Sequence, residues 1–538
     1  MSELPANSIN QHMALRNGGT VVITVPPFSQ IPIFFLYEVS CMLFSSTVFL
    51  FWFLPLTLAL YYLCACLPCK IRIYAKNAVL LLASLYFYAF GERYFVRIML
   101  ASIVCNYLFG RFIGYFGKNG KQKPCAAKAV LITALVCNLG LLFVYKYLTF
   151  TLSNIDRLLP LPFAIPQIAL PIGISFFTFQ SMSYIIDVYR GDAGVQKNPF
   201  DLALYVSLFP QLIAGPIVRY QTVADQIKNR METWNTFSHG LCRFLCGLFK
   251  KVLLSNQMGM AADKAFSMNA DGTLSTAMAW LGALSYALQI YYDFSGYSDM
   301  AIGLGHMFGF SFEENFNYPY ISTSITEFWR RWHISLGTWF RDYVYIPLGG
   351  SRVKTKKRLV FNLAVVWILT GIWHGAAWNF FFWGVWFFLL LTIEKLFFSG
   401  ALKTAAEKPF YKKIPGYGYA MLCVLLGWVL FRAQTLPLAG QYLGVMFGIG
   451  APDSGDTTAL LFFTQKAVFY CAALLFCFPI VPCIRKKLDA LRTSSTRRGT
   501  ALAVTADLVY PILMLGLFLV CVSYLLKSDY NPFIYFNF

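Results

Sequence analysis

The chain has 538 residues, 58% of them hydrophobic and 13% charged, against about 45–50% and about 25% in an ordinary soluble domain. That balance excludes a soluble globular protein and describes one that crosses a bilayer many times. The formal charge is +20, but its Lys and Arg residues are spread over short loops rather than gathered on one folded surface, which argues against nucleic acid as a partner.

Residues 1–41 are polar to about Gln30 and then briefly apolar, without the basic start and long apolar run of a secretory signal. At Met42 the character changes, and MLFSSTVFLFWFLPLTLALYYL reads as a membrane protein starting afresh. Met42 is therefore the expected natural initiator, 1–41 an N-terminal extension, and 42–538 a single membrane-embedded domain. Apolar spans follow near 44–66, 77–91, 95–116, 129–149, 166–187 and 200–218, each long enough to cross or re-enter. Residues 234–256 carry Lys250 and Lys251 and read as partly interfacial. Further spans near 276–308, 359–374, 376–394, 417–434, 459–484 and 507–526 give an all-α polytopic membrane protein with about eleven crossings.

Basic loops near 70–76, 118–128, 352–358, 403–413 and 485–498 are expected on the cytoplasmic side, so most of the charge needs no partner beyond membrane lipids. ALPIGISFF (169–177) and LFPQLIAGPIV (208–218) carry internal Gly or Pro, the mark of broken helices covered by protein. The absence of an internal repeat weighs against many transporter folds. Of fourteen cysteines, only Cys64, Cys66 and Cys69 cluster. With no fourth ligand to join them, no metal is expected.

The stretch Leu359–Ile393 contains no Asp, Glu, Lys or Arg, yet holds His374 within GIWHGAAWNF. As one helix it would be ~52 Å long against a ~30 Å hydrocarbon core. A bend near Gly371–Asn379 resolves the mismatch and puts His374 at the turn, up to ~24 Å along the helix from Arg358. An imidazole there is a costly group and a functional candidate by default. Burial favours its neutral form, which can accept a proton.

A second histidine lies in TEFWRRWHISLGTWFRDYVYIPLGG (326–350). Wound as one amphipathic helix at the cytoplasmic boundary, Trp329, Trp332, His333, Leu336 and Phe340 share the buried stripe. Arg330, Arg331, Thr338, Arg341 and Asp342 take the other side. Eight of the twelve tryptophans fall in 329–339 or 367–386, so these two segments are expected to pack together or line one cavity.

WRRWHISLGTWFRDYVYIPLGG followed by GIWHG resembles the membrane-bound O-acyltransferase family, in particular its bacterial alginate O-acetyltransferase branch. The agreement runs from Met42 through FFTFQSMSYIIDVYRG (176–191), LFPQLIAGPIVRY (208–220) and YYDFSGYSDMAIG (291–303) to the final NPFIYFNF. Only residues 1–41 stand outside it. The teichoic-acid D-alanyl transferases belong to the same family, and WFRDYVYIPLGG favours the acetyltransferase branch.

The resemblance implies a fold with a central cavity, re-entrant and interfacial helices, and a multi-pass place in the bacterial inner membrane. It also implies transfer of an acyl group, usually acetyl, from a cytosolic thioester to a hydroxyl of an envelope or exported polysaccharide, directly or through a partner protein. The family's invariant histidine corresponds to His374 and its second motif histidine to His333.

A general base suits His374. His333 is left to orient substrate, relay the proton or tie its helix to a neighbour. Asp293 and Asp299 either orient a histidine, bind the acceptor's hydroxyls or, in the favoured structural reading, cap a helix break with Ser295 and Gly296. Arg330, Arg331 and Arg341 either attract a phosphate-bearing donor, coenzyme A or an acyl-phosphopantetheine carrier, or anchor to headgroups. With Trp373 and Trp332 these residues complete the expected substrate-contacting set, and no bound cofactor is expected. His12, His239 and His306 are read as structural or solvated. No G-x-S-x-G motif is present, so direct transfer is preferred over an acyl-enzyme. With no large exported domain in the chain, separate periplasmic, extracellular or membrane-anchored acetyltransferase proteins are expected to finish the reaction. D-alanyl or peptidoglycan acyl transfer by the same chemistry, and a flippase of an acyl intermediate, stay as alternatives.

Overall fold

The computed structural model describes residues 42–117, 122–213, 215–398, 410–452, 457–493, 497–527 and 530–534. The expectation about residues 1–41 lies outside the described residues, as do parts of the basic loops near 118 and 403 and the last residues of NPFIYFNF. Among the described residues every regular element is helical. The longer helices are α1 (Leu54–Leu63), α2 (Cys69–Gly91), α3 (Val96–Phe116), α4 (Pro124–Leu142), α5 (Leu148–Leu158), α6 (Ile174–Arg190), α7 (Pro199–Ser207), α8 (Trp234–Phe249), α9 (Asn256–Ala270) and α10 (Thr276–Met307). They continue with α11 (Ile325–Arg331), α12 (Ile334–Phe340), α13 (Lys356–His374), α14 (Trp378–Phe397), α15 (Phe410–Arg432), α16 (Leu436–Met446), α17 (Thr457–Gln465), α18 (Ala467–Phe476), α19 (Ile480–Arg492) and α20 (Arg497–Lys527).

Among the described residues seven segments are long and apolar enough to cross a bilayer: Phe49–Cys66, Cys69–Gly91, Val96–Phe116, Pro124–Leu158, Trp378–Phe397, Tyr411–Arg432 and Ala501–Lys527. An eighth forms if α17 and α18, bent by 71°, make one broken span. The expected spans near 276–308 and 359–374 are helical as well, and that near 166–187 is helical from Ile174 onward. However, α6 has only 17 residues, α10 buries Asp293 and Asp299, and α13 opens on Lys356, Lys357 and Arg358. They fall short in length or apolarity.

The core forms around α10, most of whose 32 residues are buried. By contrast, only 11% of the most apolar window of Ala501–Lys527 is buried, as a lipid-facing span requires. Glycines let α8 approach α10 closely. A Cβ at Gly247 would stand 2.4 Å from the Gly296 carbonyl oxygen, and one at Gly240 2.6 Å from that of Gly303. Small residues seven apart on both helices thus form a seam that larger side chains would force open.

Three expectations change here. Lys251, read as interfacial, is buried: α8 runs through a π-helical turn, Lys250–Ser255, into α9. The reason is a counter-charge, since Lys251 pairs with Asp293 at 2.5 Å. Asp293, Ser295 and Gly296 cap no break, because α10 is continuous through them. The segment expected as one amphipathic helix is two, α11 and α12, separated at Trp332 and His333, where His333 takes a left-handed φ of +45°.

The bends read from glycine and proline are present. α6 begins only after Gly173, at φ +76°, and a short helix, Phe209–Leu212, follows α7 after Leu208 leaves the helical range. α13 ends at His374, Gly375 and Ala377 are extended, and α14 starts at Trp378. The two helices close as a hairpin on Gly371, where a Cβ would lie 2.4 Å from the Phe380 carbonyl oxygen and 3.2 Å from Gly384 Cα.

Candidate active site

The hairpin places His374 on the last helical residue of α13, 7% exposed. Its ring is clasped edge-to-face by Trp373 at 4.9 Å, Trp383 at 5.0 Å and Phe431 at 5.1 Å between centroids. Such contacts orient a ring and exclude water together.

The carbonyls at the end of α13 lack helical partners and need donors from elsewhere. Lys146 supplies them, its Nζ donating to the Trp373 oxygen at 2.5 Å and the His374 oxygen at 3.3 Å. The Tyr147 hydroxyl donates to the Ile372 oxygen at 2.9 Å. Both come from the π-helical turn Phe143–Tyr147 between α4 and α5. Sequence reasoning passed over Lys146, although a lone lysine within an apolar span was itself the signal.

His333 stands at the α11–α12 break, 4% exposed. The N-terminus of α11 is fixed from α14: the buried Glu394 carboxylate accepts from Ile325 N at 2.7 Å and Thr326 N at 2.8 Å. Ser324 Oγ accepts from Glu327 N at 3.0 Å. Burial alone would push the Glu327 carboxyl up, but the Thr323 N–H and hydroxyl and the Arg331 guanidinium outweigh it and hold it below the usual carboxylate range.

The two tryptophan-rich segments pack together as expected. Trp329 meets Trp367 at 4.8 Å and Trp383 at 5.5 Å. Trp332 meets Trp428 at 4.9 Å, and Trp428 meets Phe431 at 5.6 Å. Trp428 and Phe431 belong to α15, whose part the sequence did not reveal. Trp373 touches both imidazoles, at 4.9 Å from the His374 ring and 6.4 Å from the His333 ring.

The other candidates lie apart from this group. Arg330 is exposed, Arg331 pairs with Glu327 at 2.9 Å, and Arg341 with Asp342 at 2.7 Å. Asp299 is held by Arg243 and Lys250, each at 2.6 Å. Asp293, besides Lys251, accepts from Ile534 N at 3.0 Å, and Lys251 also donates to the Pro532 oxygen. This ion pair thus ties the C-terminal segment 530–534 into the core. His239 and His306 line a separate cavity of about 600 Å³ with Arg243 and Arg485.

Two buried imidazoles thus flank the Trp373 indole. Comparison with known proteins identifies the family. The sequence model of the membrane-bound O-acyltransferase family matches residues 192–433, which include both histidines. Over 524 residues the chain is 40% identical to the "Probable alginate O-acetylase AlgI" of Azotobacter vinelandii, covering 92% of this chain and 100% of that protein. It is 36% identical over 446 residues to the peptidoglycan O-acetyltransferase of Helicobacter pylori, covering 77% of this chain and 81% of that protein. With the teichoic acid D-alanyltransferase of Bacillus subtilis it shares 30% identity over 242 residues, 42% of this chain and 59% of the relative.

Proposed function

The chain belongs to the membrane-bound O-acyltransferase family, and from that premise we propose that it transfers an acetyl group from a cytosolic thioester to a hydroxyl of an exported polysaccharide, with His374 as general base. The observation that carries this reading is the placement of His374. It is buried at a helix turn, clasped by aromatic rings and capped through its carbonyl by Lys146.

The acceptor hydroxyl gives its proton to the His374 ring as its oxygen attacks the thioester carbonyl carbon. The tetrahedral adduct then collapses, the C–S bond breaks, and the departing thiolate takes up a proton, leaving ester and thiol. A positioned base of this kind contributes about 10²–10⁴-fold. The donor is acetyl-coenzyme A or an acyl-phosphopantetheine carrier, used as substrate rather than held as a cofactor. The site is the bacterial inner membrane, and separate exported or membrane-anchored acetyltransferase proteins carry the group to the polymer. The Azotobacter vinelandii relative named for alginate matches 92% of this chain at 40% identity, against 77% at 36% for the peptidoglycan relative, which supports a uronate polymer as the final acceptor.

Proteoliposomes given labelled acetyl thioester on the cytoplasmic face test the proposal. The expected product is labelled acetyl ester on an added hydroxyl acceptor. Labelled acetyl groups crossing at full rate with no acceptor present would instead favour a flippase. Esterification of glycan strands alone would shift the acceptor to peptidoglycan.

A further inference from the structure

We infer that Asn315 is a positioning residue that holds His333 in its Nδ1–H tautomer and leaves Nε2 as the proton-accepting nitrogen of that ring. The inference rests on the reading of this site as an acyl-transfer centre and adds a residue that neither the motifs nor the relatives' names assign.

The argument begins with the backbone. Ser335 N–H lies 3.1 Å from Asn315 Oδ1, and the Ser335 hydroxyl donates to the same atom at 2.9 Å. A buried main-chain N–H requires an acceptor, so the Asn315 atom it meets is the carbonyl oxygen, not the amide nitrogen. His333 Nδ1 stands 3.2 Å from that same oxygen. A carbonyl oxygen only accepts, so Nδ1 carries the hydrogen and donates it. In the neutral ring the lone pair then resides on Nε2.

Asn315 also fixes the backbone on which this ring is mounted. Its main-chain oxygen accepts from Ile334 N at 2.9 Å, and two residues on, Asn317 N donates to the Arg331 oxygen at 2.9 Å. The stretch Asn315–Asn317 thus satisfies groups on both sides of the left-handed residue His333. Asn315 is itself 2% exposed, so water cannot replace the amide cheaply. A ring nitrogen set by the hydrogen bond of its partner nitrogen is a general device for fixing a histidine tautomer.

Two experiments decide it. Histidine labelled with ¹⁵N in the membrane-reconstituted protein, with the His333 signal identified by its loss in His333→Gln, should show protonated Nδ1 and bare Nε2. A bare Nδ1 overturns the inference and does not depend on any Asn315 variant folding. In the acyl-transfer assay, Asn315→Ala should lose about 10- to 100-fold in turnover. Asn315→Asp, which still accepts from Nδ1–H, should recover most of it and move the acid limb of the pH–rate profile upward, because a carboxylate stabilises the imidazolium. Wild-type turnover and an unmoved profile in folded Asn315→Ala sink the inference while leaving the role of His374 intact. Full activity in His374→Ala sinks the base assignment whatever Asn315 does.

Discussion

His374 and His333 each stand where one helix gives way to the next and both pack on aromatic rings, but the polar contacts around them differ. The His374 ring is packed edge-to-face by three aromatic side chains, and the main chain that carries it is held where Lys146 and Tyr147 take up the carbonyls of 372–374. The His333 ring is gripped by an amide, and its main chain is bent into the left-handed region to meet it. The difference separates two ways of preparing an imidazole. Apolar bulk excludes water and keeps a base neutral, whereas a hydrogen bond chooses which nitrogen is the base.

The comparison breaks most severely if the clasp is opened. Phe431→Ala removes one wall of the His374 enclosure and should destabilise the protein by about 3–5 kcal/mol, with transfer falling further than the folded fraction. A thermal-unfolding curve measured beside turnover separates the two losses. Lys146→Met keeps the bulk and removes the donors, leaving buried carbonyls unmet at about 1–3 kcal/mol. Transfer should drop about tenfold or more, with Lys146→Arg restoring part of it. Arg341→Ala gives the smallest effect. Its side chain is 57% exposed and paired with the adjacent Asp342, so stability should change by less than about 1 kcal/mol. Donor titrations of that variant sharpen the picture: an unchanged KM leaves Arg341 a headgroup anchor, while a large increase makes it a donor contact.

Much of the His374 region was legible in the sequence because its determinants are local. Thirty-five uncharged residues are too long for one span, and Gly371, Gly375 and Gly384 mark where backbones bend or meet. The His333 region was not, for a physical reason. No glycine or proline interrupts 325–333, so the helical period continues on paper through a break that tertiary contacts impose from Asn315 and Asn317. Similarly, Lys146 lies 227 residues before the carbonyl it meets at Trp373. Lys251 looked interfacial until its partner Asp293 on α10 was seen. Spacing along one segment carries no record of counter-charges supplied by another.

The most direct test of the central claim is ester formation by purified, folded His374→Ala given both thioester donor and hydroxyl acceptor. A general base at this position requires that the donor still bind with near-normal affinity while ester formation falls by about 10²–10⁴-fold. Ester produced at the wild-type rate would contradict it.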